Sequence, residues 1–313
     1  MNTNRSRKSS LTMWAIASVV ILTVAAFASG ILVGQITTPK ATGTVIIDDY
    51  GRTIKLGSEP KRIVSVAPTP TEMLFAVGAG NLVVGVDDYS DYPTAVKNVT
   101  KVGSIELNVE MILSLKPDLI LSSDLVPLAQ LAQLEEKGIP YIILAARTLE
   151  EVFKDIKLVG LMTGHIDDAS ALVSGLEARV AAVTAKTSDV NLTKPRVFVE
   201  FYPMWTYGPG SFGDDMIKLA GGINIAANTS SEYVPVTDEF VIAQDPQVIV
   251  YTVGSNYNGT TPTTISSRPG WSGVSAVASG KMYSVDDNLV SRYGPRIVDG
   301  LEALAKILHP ELF

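Results

Sequence analysis

Apolar positions fall into three patterns along this chain. The first is continuous. Trp14 to Ile36 carries no charge and is mainly apolar, and at about 1.5 Å per residue a helix over it crosses a bilayer core of about 30 Å. Arg5, Arg7 and Lys8 precede it, with no acid among residues 1–12. The flank predicts a cytoplasmic tail over 1–12, a membrane segment over 13–36 and the rest of the chain outside. Ala26-Phe27-Ala28 fits a signal-cleavage site, but the apolar run continues through Ile31, Leu32 and Val33, so a retained anchor is expected.

The second pattern begins after a polar linker over 37–43. Short buried runs alternate with stretches of helical period. Thr44–Ile47 and Thr53–Leu56 flank a turn and predict a hairpin. Strands are predicted at 62–66, 82–86, 118–121 and 140–144, with helices at 72–77, 109–115 and 128–137 between them. Gly78 and Gly138 stop two of those helices. The third pattern is purely helical. It covers 149–163 and then 167–187, where Ala171, Leu172, Leu176, Val180 and Val183 recur at helical spacing. Alternation resumes with a strand at 196–201, a helix at 213–220, a strand at 281–285 and a last helix at 296–308.

One segment occurs twice. Glu110-Met-Ile-Leu-Ser-Leu-Lys-Pro-Asp-Leu-Ile-Leu121 matches Glu239-Phe-Val-Ile-Ala-Gln-Asp-Pro-Gln-Val-Ile-Val250 in hydrophobic pattern, with the Glu and the Pro identical. Each copy reads as a short helix, a Pro turn and a buried strand. The expected fold is α/β, two α/β lobes with mainly parallel sheets joined by a single long helix, plus the N-terminal transmembrane helix. The boundaries are 44–165 for the first lobe, 166–188 for the connecting helix and 189–313 for the second lobe. A cleft between two lobes is a common ligand site.

Composition narrows the function. Asp and Glu number 32 against 25 Lys and Arg, a formal charge of −7, which argues against a nucleic-acid partner. Without any Cys there is no disulfide, no thiolate metal site and no lipid attachment through a cysteine. Sequons at Asn98, Asn191, Asn228 and Asn258 are compatible with glycosylation outside the cell. The two histidines, His165 and His309, sit near helix ends, and no nucleophile-elbow, P-loop or His-Glu-x-x-His motif is present. Asp48-Asp49, Asp87-Asp88, Asp214-Asp215 and Asp286-Asp287 read as turn and cap residues rather than a metal site. Neither catalysis nor a resident cofactor is expected.

Aromatic residues carry more. Tyr202, Trp205 and Tyr207 follow the strand at 196–201, among prolines and glycines, and Tyr89 and Tyr92 hold the equivalent place in the first lobe. Tyr233 precedes the second repeat copy. Ligands of open α/β sheets bind beyond the carboxyl ends of strands, and ring faces suit a large, flat, partly apolar ligand. Glu110 and Glu239 sit in the first turns of their helices, where Asn108 and Thr237 can cap. They read either as helix-dipole partners or as one exposed carboxylate per lobe for a two-fold partner.

Pro60-Lys-Arg-Ile-Val-Ser-Val-Ala-Pro-Thr-Pro-Thr-Glu72, Val84-Gly-Val-Asp-Asp-Tyr-Ser-Asp-Tyr-Pro93, Asn108-Val-Glu-Met-Ile112, Lys116-Pro-Asp-Leu-Ile120, Arg268-Pro-Gly-Trp271 and Gly294-Pro-Arg-Ile297 resemble the substrate-binding proteins of iron-chelate and vitamin B12 ABC importers. The likeness runs over residues 44–313 and is nearest to the vitamin B12 branch. It implies a monomer outside the cell membrane, tethered by its N-terminal helix, that serves an ABC permease dimer and its ATPase subunits. It also implies that Glu110 and Glu239 pair with permease arginines. Tyr89 or Tyr92, Tyr207, Tyr233 and the segment Asn288–Arg292 fall near positions that line the corrinoid pocket. With Trp205 from the aromatic pattern, the expected ligand contacts are Tyr89, Tyr92, Trp205, Tyr207, Tyr233, Asn288 and Arg292. Where that branch tends to carry Trp, this chain has Ser104 and Ser122-Ser123, and Asn288 stands where Asp is usual. A ferric siderophore or haem therefore remains an alternative ligand, for which Arg147, Arg268 or Arg292 would bind an anionic group. A receptor for free metal ions, an extracellular hydrolase and a sensor ectodomain are the rival functions. Two peripheral histidines, the absence of a nucleophile and base, and the short cytoplasmic tail speak against each in turn.

Overall fold

A computed structural model describes residues 43–254 and 259–313. The expected anchor at 13–36 lies outside them. Among the described residues no helix is long and apolar enough to cross a membrane.

Strands β1 (Thr44–Ile47) and β2 (Thr53–Leu56) form the expected antiparallel hairpin. Its turn is held by Asp48, whose carboxylate accepts the amides of Tyr50 and Arg52 and the Arg52 guanidinium. The first lobe then runs β3 (Ile63–Ser65), α1 (Pro68–Ala76), β4 (Val83–Val86), β5 (Thr100–Lys101), α2 (Val109–Ser114), β6 (Leu119–Ser123), α3 (Leu128–Glu135), β7 (Tyr141–Leu144) and α4 (Leu149–Thr163). Its five strands are all parallel, in the order β5-β4-β3-β6-β7. Helix α1 starts at Pro68, not at Glu72 as the pattern suggests. Proline is tolerated in a first helical turn, whose amides lack intrahelical partners in any case, so Pro68-Thr-Pro-Thr71 opens a helix instead of forming a loop.

Helix α4 begins at Thr148, whose hydroxyl accepts the Glu151 amide, and stops at Gly164 in the left-handed region. Helix α5 (Ile166–Thr187) leads from the first sheet to the second and packs against both α4 and the last helix. The second lobe comprises β8 (Arg196–Glu200), β9 (Trp205–Tyr207), α6 (Phe212–Leu219), β10 (Ile223–Asn224), β11 (Tyr233–Pro235), α7 (Asp238–Gln244), β12 (Val248–Val253), α8 (Pro262–Ser266), α9 (Ser275–Ala278), β13 (Met282–Asp286), α10 (Asp287–Val290) and α11 (Ile297–Leu308). Its main sheet is parallel, in the order β10-β8-β12-β13. The pairing of β9 with β11 is an antiparallel ribbon that the sequence pattern did not indicate.

The two repeat copies are equivalent in their hydrogen bonds as well as their order. Lys116 and Asp245, each just before the shared proline, are two of three non-glycine residues with positive φ among those described, at 49° and 45°. Arg62 donates to the Leu115 carbonyl at the end of α2, and Arg196 donates to the Gln244 carbonyl at the end of α7. The Asp118 carboxylate accepts the Arg62 amide, and the Gln247 side chain accepts the Arg196 amide. Buried residues from the facing sides of both sheets, such as Leu119, Leu121, Val197 and Val250, join α4, α5 and α11 in one continuous cluster. The outer faces of the sheets have separate clusters under their own helices.

Candidate functional site

In the first sheet the chain goes from β3 outward to β4 and β5, then returns to the other side of β3 for β6 and β7. The loops after β3 and β6 therefore diverge, which opens a crevice at the carboxyl ends. A cavity of about 360 Å³ lies there, lined by Val66, Pro68, Asp87, Tyr89, Ser123, Leu125 and Val126, with Ser104 and Ile105 from the loop after β5. Val66 and Val126 are buried, whereas Tyr89, Ile105 and Leu125 are 47%, 67% and 79% exposed. Large apolar side chains so open to water at the edge of an apolar hollow mark a binding surface. Tyr92, also exposed, has the Arg296 guanidinium 4.0 Å over its ring.

In the second lobe a loop joins β8 to β9. Tyr202 and Trp205 are exposed there, and Tyr233 is half-buried beside Phe201, Phe212 and Tyr207. Burial pushes the Tyr233 phenol up to about 12.

Tyr207, one of the expected ligand contacts, lies inside the second lobe. It is buried, packed on Phe201 and Phe212 at 4.7 and 5.4 Å between ring centres, and its hydroxyl donates to the Val290 carbonyl at 2.6 Å. Its ring lies directly over Gly213, whose missing Cβ makes the room, so it is core and offers no face to a ligand. Arg292, another of the expected contacts, is engaged within the chain. It is buried and donates to Glu72 at 3.0 Å, Asp91 at 2.7 Å and the Tyr89 carbonyl at 3.3 Å, all in the first lobe. Asn288 is half-buried in α10, its amide nitrogens bonded to Asp286.

The sequence missed the residue at the centre of this network. Glu72 is buried and accepts Arg292 and, in bidentate fashion, Arg296 at 2.6 and 2.8 Å. A second bridge joins Arg147 of the first lobe to Asp124 at 2.8 Å and to Glu232 of the second lobe at 3.0 Å. Burial works against the charge of Arg147, but the hydrogen bond it donates to Asp124 and the nearby carboxylates outweigh it and hold the guanidinium firmly protonated. The Tyr293 hydroxyl donates to the same Asp124. Arg268 lies elsewhere, in a bidentate pair with the buried Glu200. Lys101 donates to the carbonyls of Asp87 and Ser90. Burial raises the Asp87 carboxyl above its usual range, against hydrogen bonds from Ser90 and the Tyr89 amide.

Glu110 and Glu239 are both exposed in the first turns of α2 and α7, which Asn108 and Thr237 cap. The Glu239 carboxyl is held below its usual range by its own backbone amide and by Thr237. His165 bonds to the Thr163 carbonyl and His309 to that of Gly221, each a helix-end contact. Among the described residues no group of three or more potential metal ligands comes together.

Residues 63–289 match the periplasmic binding protein family. The chain is 34% identical over 278 residues, 86% of its length and 87% of the relative's, to an uncharacterized ABC transporter substrate-binding lipoprotein of Bacillus subtilis. It is 30% identical over 281 residues, 88% of its length and 74% of the relative's, to a cobalamin-binding protein of Halobacterium salinarum. The apo structure of a periplasmic haem-binding protein from Roseiflexus sp. RS-1 covers 82% of this chain and 100% of its own, with 29% identity and a TM-score of 0.72.

Proposed function

This chain belongs to the periplasmic binding protein family, and within that family we propose that it captures a corrinoid between its lobes and delivers it to the permease of an ABC importer. The relatives support the importer role at large, and one of them is named for cobalamin. The ligand follows from how the basic side chains about the cleft are engaged. Arg147, Arg292, Arg296 and Lys101 are each held by carboxylates or carbonyls of this chain. A haem propionate or an anionic siderophore needs a free guanidinium fork. A corrin with a rim of neutral amides needs apolar area and hydrogen bonds instead, and Tyr89, Tyr92, Ile105, Leu125, Trp205 and Tyr233 offer that area. Stiff aromatic rings supply it at small entropic cost.

In this reading Glu110 and Glu239, one per lobe, meet basic residues on the two halves of the permease. The apolar segment Trp14–Ile36 holds the protein at the membrane. The ligand assignment is tested by calorimetry of the full chain with cyanocobalamin, haem and a set of ferric siderophores. Heat from cyanocobalamin, with quenching of Trp205 fluorescence by the coloured ligand, is expected. Binding of haem or a siderophore and of no corrinoid would overturn the ligand and leave the importer role.

A further inference from the structure

Four of the nine asparagines beyond residue 43 begin an Asn-x-Ser/Thr triplet, and the fold treats three of these triplets alike. Asn98 ends a 3-10 turn over Thr94–Asn98, just before β5. Asn191 lies in the loop between α5 and β8, and Asn228 in the turn after β10. In each triplet the asparagine and the third residue, Thr100, Thr193 or Ser230, are exposed. The middle residue, Val99, Leu192 or Thr229, is half-buried. Val99 packs on the main core, and the Thr229 hydroxyl donates to the Ala226 carbonyl. The middle residue thus faces the body, and both its neighbours face water. Asn191 donates to the exposed Asp189 two residues before it. Asn98, Asn228 and the three hydroxyls make no side-chain hydrogen bond among the described residues.

The asparagines that serve the fold are placed otherwise. Asn108 caps α2, and Asn288 donates to Asp286. Asn224 is buried and donates to Asp214 and to the Tyr207 carbonyl. None of these begins a triplet. The fourth triplet differs again. Asn258 lies outside the described residues, but its third residue, Thr260, is buried.

A transferase that acts on Asn-x-Ser/Thr must reach the amide and the hydroxyl together. We propose that Asn98, Asn191 and Asn228 are N-glycosylated on the folded chain outside the membrane, and that Asn258 is not. The donor class is an oligosaccharide carried on a polyprenyl phosphate. The asparagine nitrogen bonds to the anomeric carbon. The bond from that carbon to the phosphate oxygen breaks, its electron pair leaves with the phosphate, and one amide proton passes to solvent. None of the three asparagines lines the cavity of the first lobe. The proposal rests on the extracytoplasmic placement in the importer reading and not on the ligand.

Peptide mapping by mass spectrometry of the full chain, purified from its own cells, tests this. Sugar is expected on Asn98, Asn191 and Asn228, with Asn258 bare. Thr100→Ala, made in the same cells, should lose the sugar of Asn98 alone, while Thr100→Ser keeps it. Loss in both variants, or in neither, overturns the triplet as the cause. If Thr100→Ala fails to fold, the wild-type map alone decides. A bare residue among the three overturns the proposal for that residue. Sugar on Asn258 to the same extent overturns selection by the fold, because attachment then precedes folding. If all three are bare, protease added to spheroplasts separates two failures. Unmodified protein that is cut lies outside and defeats this proposal alone. Protein that is protected lies inside and defeats the importer reading with it.

Discussion

Asp155 has no exposed surface, and no donor reaches either of its carboxyl oxygens. It projects from α4 toward the β1–β2 turn, where Asp49 accepts the Ala145 amide and pairs with Lys154. Burial, and then the charge of Asp49 and a hydrogen bond that protonated Asp155 donates to it, push the Asp155 carboxyl up to about 9, against the opposing charge of Lys154 and with the further help of Glu151. Asp155 is therefore neutral in the folded protein at pH 7, while the unfolded chain ionises it near pH 4. Between about pH 4 and about pH 9 the folded state holds one proton more than the unfolded state, so this group lowers stability as pH rises. Asp155→Asn, which cannot ionise, should remove that slope. Thermal melts at pH 5 and pH 8 check this, with the advantage of the variant over wild type growing toward pH 8.

Among the elements, helix limits were the most legible part of the fold. Thr148 before α4, Asn108 before α2 and Thr237 before α7 all cap as their residue types suggest. The β9–β11 ribbon was not legible, because three-residue strands carry too little alternation to signal a period. The exposed position of Tyr89 beside the cavity could be read from its place beyond a strand end. Burial of Tyr207 could not, since it depends on the bare backbone of Gly213. The bridge from Glu72 to Arg292 spans 220 positions, beyond any local pattern.

The matched hydrogen bonds around α2 and α7 place Glu110 and Glu239 at equivalent points of two equivalent units. Glu110→Arg or Glu239→Arg should leave ligand affinity within about twofold and reduce uptake about tenfold or more, because on the proposed docking like charges then face each other across the interface. Calorimetry beside a cellular uptake assay separates the two effects. Normal uptake by both variants would leave these carboxylates as helix-dipole partners alone.

At the scale of the whole molecule, the lobes are tied by charge as well as by packing. Glu72 is the sole carboxylate placed against both Arg292 and Arg296 among the ion pairs of the described residues. Glu72→Ala takes the bidentate carboxylate from Arg296 and leaves Arg292 with Asp91 and the Tyr89 carbonyl alone, and removal of one partner from a buried pair costs about 3–5 kcal/mol. Denaturant unfolding at neutral pH should show a loss of that order.

The continuous core through α4, α5 and α11 has a consequence for traffic at the membrane. Rocking one lobe against the other would shear close-packed side chains, so the empty and loaded proteins present nearly the same outline. On the proposed docking through one carboxylate of each lobe, a permease that recognises outline admits both. Empty copies become rivals of loaded ones for the same dock. When ligand is scarce, making more of this protein should slow uptake rather than speed it, and the cell's best supply lies at a middling ratio of receptor to gate.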